Sequence, residues 1–373
     1  MNIGPTINLS GSETGPNLSM SQEHKPYVED RMGPLTRVVG ATAAVLLLAG
    51  CEHSSRPVDV TAAMSAATAE PAPLVPRIIA PQATDPAIDW VPTVAAQFNH
   101  HYVWLDPSRE PNGKLFVLLP GTTAPSRAMI AVHQEAARLG YHVIGLNYQN
   151  GIGLNVCSAT TDPACAGNGR FEILDGIDRS PFVAVSPANG IDNRLTKLLL
   201  YLEAQYPDEG WSQFLKDGAP KWNKIAVGGH SDGAGAAALI GRIRHVCRVA
   251  MLSGPGEQRL PDELVAWAFI GETPASKYFA LFHQREVGVP GILARLGAFD
   301  MLKFGAPVSP ELSEPPYDDT HILITDVEPI GGYSDVNSHR STALTNVTPL
   351  GPDGTPLLRE AWRYLLGAPD GGP

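Results

Sequence analysis

Lys224-Ile225-Ala226-Val227-Gly228-Gly229-His230-Ser231-Asp232-Gly233-Ala234-Gly235-Ala236 is the stretch on which the reading of this chain turns. Ile225 to Val227 form a short apolar strand, and Gly233 through Leu239 open a helix in very small residues. Between them Gly229-His230-Ser231-Asp232-Gly233 fits G-x-S-x-G, a tight turn that lifts a serine Oγ above the end of a strand. Glycines flank the serine because side chains there would collide with the neighbouring strand and helix. The five-letter pattern alone is weak, since chance supplies about 0.2 matches in such a chain. The strand before it and the small-residue helix after it make Ser231 a candidate nucleophile.

Working outward, the chain alternates strand and helix from Gly113 onward. Leu115 to Leu119 is a continuous apolar run, as expected of a strand buried on both faces, and it ends in Pro120-Gly121-Thr122-Thr123. Ser126 to Leu139 has helical spacing closed by Gly140, and His142 to Tyr148 reads as the next strand. Such βαβ units build parallel sheets. Residues 149–190 break the rhythm. This long Gly-, Asn-, Asp- and Pro-rich segment reads as a loop insertion near the mouth of a site. After it come a helix from Asn193 to Gln205, the serine turn, strands at Val246–Ser253, Lys277–Phe282 and His321–Thr325, a loop from Asp326 to His339, and a closing helix over Leu357–Leu366.

The order of chemistry along this pattern is serine, then an acid after a later strand, then a late histidine. It resembles the α/β-hydrolase superfamily over about residues 98–368. The resemblance implies a mostly parallel central sheet with helices on both faces. It also implies roles: Ser231 as nucleophile, His339 in Asn337-Ser338-His339-Arg340 as base, and Glu286 as the acid that orients the base. Glu257, Asp326 and Asp335 are rivals for that last role. Two backbone N–H groups must face the developing oxyanion. Asp232 would supply one, and Thr122, or alternatively Thr123, the other. The expected activity is carboxylic-ester hydrolysis through an acyl-enzyme, on a small-molecule or lipid ester and without a cofactor. A peptidase or amidase on the same machinery, and a non-catalytic binding protein of this fold, are the competing readings.

The flanks bear on compartment. Arg37 to Cys51 is a basic start, an apolar core and Leu48-Ala49-Gly50-Cys51, which resembles a bacterial lipobox. The expectation is a signal peptide over 32–51, cleavage before Cys51 and a diacylglycerol anchor on its sulfur, placing the protein in the bacterial cell envelope. Residues 1–31 are then an over-long start preceding Met32, 52–80 a flexible Ala/Pro/Ser/Thr tether, and 81–373 the catalytic domain. Cys157 and Cys165 are expected to pair in an oxidising compartment, and Cys247 to remain a thiol. Within 373 residues the net charge is −11 and no Lys/Arg run occurs, which argues against a nucleic-acid surface. No Cys or His cluster has metal-ligand spacing.

Overall fold

Leu115–Leu119, buried along its whole length, is the central strand of an eight-stranded sheet. The computed structural model describes residues 74–256, 258–260 and 263–367, all within the unit Glu70–Pro373. The expected signal, Cys51 and Glu257 therefore lie outside the described residues.

The sheet strands are β1 Arg77–Ile79, β2 His101–Trp104, β3 Leu115–Leu119, β4 His142–Gly145, β5 Ile225–His230, β6 Arg248–Leu252, β7 Tyr278–His283 and β8 Ile322–Thr325. Their spatial order is β1-β2-β4-β3-β5-β6-β7-β8. β2 pairs antiparallel with both neighbours, and every other pairing is parallel. This is the α/β-hydrolase fold.

The main helices are α1 Pro81–Thr84, α2 Ile130–Arg138, α3 Cys165–Asp175, α4 Ile191–Gln205, α5 Asp232–Ile243, α6 Val289–Ala298, α7 Asp335–Ser341 and α8 Arg359–Leu366. Strand alternation sends successive side chains to opposite faces, so the core divides in two. Val117 and Leu119 of β3 and Val227 of β5 join Leu198, Leu239 and Leu296 from α4, α5 and α6. Phe116 and Leu118 of β3 join Val132 and Ala136 of α2 and Trp362 and Leu365 of α8 on the other face.

Three expectations need correction. The tether does not run to residue 80: Arg77–Ile79 pairs with β2 and adds the edge strand, with Arg77 bonded to Glu209. The segment 149–190 is not a plain loop, because it folds as a 3-10 helix, Leu154–Ala159, followed by the eleven-residue α3. Buried Glu172 of α3 organises the chain between α3 and α4 by accepting the N–H groups of Arg179, Ser180 and Val185 at 2.8, 2.8 and 3.1 Å. His339 sits on the short helix α7, not in a loop, and Ser334 caps that helix by accepting the Asn337 N–H.

Candidate active site

β5 ends at His230 and α5 starts at Asp232, leaving Ser231 alone at the bend with φ 57° and ψ −121°. This is positive-φ backbone that a non-glycine residue adopts only under constraint. The constraint is visible. The Ser231 N–H donates to Leu252 C=O at 2.9 Å, and the Ser231 C=O accepts the Ala234 N–H at 2.9 Å. A Cβ on Gly229 would lie 2.0 Å from Gly233 O, and one on Gly233 would lie 2.1 Å from Leu119 O. Only hydrogen fits at both positions.

Glu286 follows β7 on a tight turn in which its N–H donates to His283 C=O. Its Oε1 accepts the His283 N–H at 2.9 Å, which fixes the carboxylate and turns Oε2 toward α7. There Oε2 accepts from His339 Nδ1 at 2.5 Å, with the Glu286 side chain fully buried and His339 one-third exposed. Because a carboxylate can only accept here, Nδ1 carries the proton, and the tautomer so selected is the one whose Nε2 bears the lone pair. His339 and Ser231 line the same cavity of about 700 Å³.

The rival acids are elsewhere. Asp326 forms a surface ion pair with Arg285 at 2.6 Å, and Asp335 is exposed in the first turn of α7. Glu257 lies outside the described residues. The other histidines have separate tasks: His142, His283 and His321 bond the carbonyls of Glu209, Val327 and Tyr278. His230 Nε2–H donates to His339 C=O at 2.9 Å, which ties the strand end to the turn of α7 carrying His339. Burial, reinforced by the positive charge of Arg340, pushes the His230 imidazole down to about 3, so it stays neutral.

Thr122 and Thr123 are separated by their hydrogen bonds. The Thr123 N–H donates to Asn150 C=O at 2.9 Å. Among the described residues no acceptor engages the N–H of Thr122 or of Asp232. Asn150 also donates to the carbonyls of Gly121 and Ala124, and Tyr148 donates to Pro120 C=O, so this loop is pinned from one side. On the other side the Thr122 hydroxyl donates to Asp232 Oδ2. Asp232 Oδ1 accepts from Arg170 Nη2 at 2.9 Å, an almost fully buried arginine delivered by α3. Sequence reading missed Arg170. Only the local run Gly169-Arg170-Phe171-Glu172 could have pointed to it, and nothing in that run names a partner 62 residues away.

Cys157 and Cys165 are joined, which ties the 3-10 helix that lines the cavity to the first residue of α3. Cys247 is the free cysteine among the described residues.

The sheet order and the residues at its carboxyl ends define the class: a protein of the α/β-hydrolase fold carrying a serine, a histidine and a glutamate at one cavity. Among solved structures the chain is similar to an alpha-beta serine hydrolase homologue from Coxiella burnetii, at 14% identity and TM-score 0.33, covering 61% of this chain and 83% of that one. It is also similar to esterase B from Lactobacillus rhamnosis, at 11% identity and TM-score 0.36, covering 76% and 91% respectively. No family model and no curated protein matches the chain. The fold assignment rests on strand order and direction, not on these likenesses.

Proposed function

We propose that the protein is a serine hydrolase that cleaves carboxylic esters through an acyl-enzyme. The observation that carries this reading is the Glu286–His339 hydrogen bond at the cavity where Ser231 stands on its constrained bend. His339 Nε2 takes the Ser231 hydroxyl proton as Oγ bonds to the ester carbonyl carbon. The carbonyl π-electrons move to oxygen, and the N–H groups of Thr122 and Asp232 hold that oxyanion. Collapse re-forms the carbonyl and expels the alkoxy group, which takes the proton from His339 and leaves as alcohol. Water then repeats the sequence on the acyl-serine and releases the acid. Glu286 holds the Nδ1–H tautomer throughout and stabilises the imidazolium.

In the same reading the chain is exported, cleaved before Cys51 and tethered to a bacterial membrane by a lipid on the Cys51 sulfur. The support is the run Leu48-Ala49-Gly50-Cys51 after its apolar core. Turnover of p-nitrophenyl esters of increasing acyl length tests the ester reading. Hydrolysis of at least one member, lost in Ser231→Ala, is expected. No hydrolysis across the series by folded wild type contradicts it.

A further inference from the structure

A second cavity, of about 730 Å³, shares Thr122, Ser231 and His339 with the first but is otherwise lined by different residues. Its charge is distinctive. Two arginines, Arg127 and Arg340, line it, and no aspartate or glutamate does. The first cavity, by contrast, holds Asp232 and Glu286 alongside a single arginine, Arg295. Among the described residues neither Arg127 nor Arg340 has a carboxylate partner. In a chain with 38 acidic and 27 basic side chains, that is a local reversal of sign.

The Arg127 side chain is held by a ring contact, and Arg340 is positioned through its backbone. Arg127 sits in the 3-10 helix Ser126–Met129 that leads into α2, and its guanidinium stacks 4.3 Å above the Phe98 ring, itself part of the cavity wall. Stacking leaves the guanidinium edge, with its N–H donors, available to a ligand. Arg340 follows His339 on the turn of α7 that His230 anchors through the His339 carbonyl. A concave site of one sign with low-dielectric walls concentrates counter-ions, and guanidinium matches the oxygens of carboxylate or phosphate in pairs.

We propose that this second cavity is an anion subsite, and that the substrate is an ester carrying a carboxylate or phosphate group on the part seated between Arg127 and Arg340. The inference rests on the serine-hydrolase reading and narrows its substrate class from esters in general to anionic esters. One unpaired cation would be ordinary surface solvation. Two, converging on a cavity that already contains the serine and histidine, are placed to orient a substrate.

Two matched pairs of esters test it. p-Nitrophenyl hemiadipate against the neutral adipamate puts the charge on the acyl side. 4-Carboxyphenyl butyrate against 4-carbamoylphenyl butyrate puts it on the alcohol side, and rates are normalised to alkaline hydrolysis. A phosphonate in place of each carboxylate separates the two anion types. Wild type is expected to favour the anionic member of one pair by roughly 10- to 100-fold in kcat/KM, the value of charge-assisted hydrogen bonds. In Arg127→Gln/Arg340→Gln that ratio should fall to about one, and in the double lysine variant part of it should return. Absence of preference in all pairs, or a preference that survives loss of both arginines, overturns the proposal. If no ester is turned over at all, the hydrolase reading has failed and calorimetric titration of adipate into Ser231→Ala decides separately. Binding that disappears with the two arginines sustains the subsite, and no binding or indifference to them removes it.

Discussion

Arg170 donates to Asp232 at 2.9 Å from almost complete burial, so a helix of the inserted segment is bonded to the residue immediately after the serine. The Asp232 side chain is acidic, yet its own N–H is a proposed oxyanion donor. Left unpaired, that carboxylate would repel the charge the N–H is meant to stabilise. Arg170 neutralises it, and the Thr122 hydroxyl bonds its other oxygen, linking both proposed donors.

This pairing predicts a rescue. A unit charge about 5–7 Å from the oxyanion, at an effective dielectric of 20, opposes it by about 2–3 kcal/mol. Arg170→Gln should therefore lower kcat by roughly 30- to 150-fold. Asp232→Asn should lower it less, and the double variant should recover most of the loss, because it removes the stranded charge. Loss of an ordinary structural contact gives the opposite pattern, with the double variant no better than Arg170→Gln. Steady-state kinetics on one neutral ester distinguishes them.

The acid can be assigned by comparison. Glu286→Gln should reduce kcat about 10^2- to 10^4-fold while preserving the fold, since it disturbs the tautomer of His339 and leaves the nucleophile. Asp326→Asn and Asp335→Asn should stay within about twofold of wild type, because exposed charges of this kind contribute little. A large effect from either of these, with Glu286→Gln fully active, moves the acid.

The Cys157–Cys165 bond closes a loop with a sequence separation of 8 residues. Chain-entropy arguments give it about 2–3 kcal/mol, so Cys157→Ser/Cys165→Ser should melt about 5 °C lower in a domain of this size. Alkylation of native protein from an oxidising compartment should modify neither sulfur until reductant is added. Full labelling without reductant contradicts the pairing.

Acid should weaken the fold through two buried histidines. Burial pushes both His133 and His230 down to about 3. An unfolded imidazole titrates near 6.5, so below that value the unfolded chain binds protons that the folded chain refuses. Stability then falls with pH by about 1.4 kcal/mol per unit for each group, or about 2 kcal/mol each at pH 5. Urea midpoints at pH 7 and pH 5 measure this. His133→Gln should shrink the difference, and an unchanged difference would count against its burial as the cause.

How much of this was legible in the sequence depended on whether the deciding force was local. The bend at Ser231 was readable because steric exclusion at Gly229 and Gly233 writes itself as glycine. β3 was readable because burial on both faces leaves only apolar residues. Glu286 could not be separated from Asp326 by type or position alone. The separation comes from the four-residue turn His283–Glu286, which brings Oε1 to the His283 N–H. α3 was hidden because Gly167 and Gly169 in its first half oppose a helix, and the helix holds through tertiary contacts of Arg170 and Glu172. β1 was hidden because three residues beside prolines carry almost no periodic signal and gain their pairing from β2.

The central claim is that Ser231 is a nucleophile activated by His339. Treating the folded wild-type protein with a fluorophosphonate and mapping the adduct by peptide mass spectrometry tests it directly. The account predicts one adduct, on the peptide containing Ser231, absent in Ser231→Ala and formed several orders of magnitude more slowly in His339→Ala. An unlabelled wild type, an adduct on another residue, or a Ser231→Ala protein that still hydrolyses esters at the wild-type rate would contradict it.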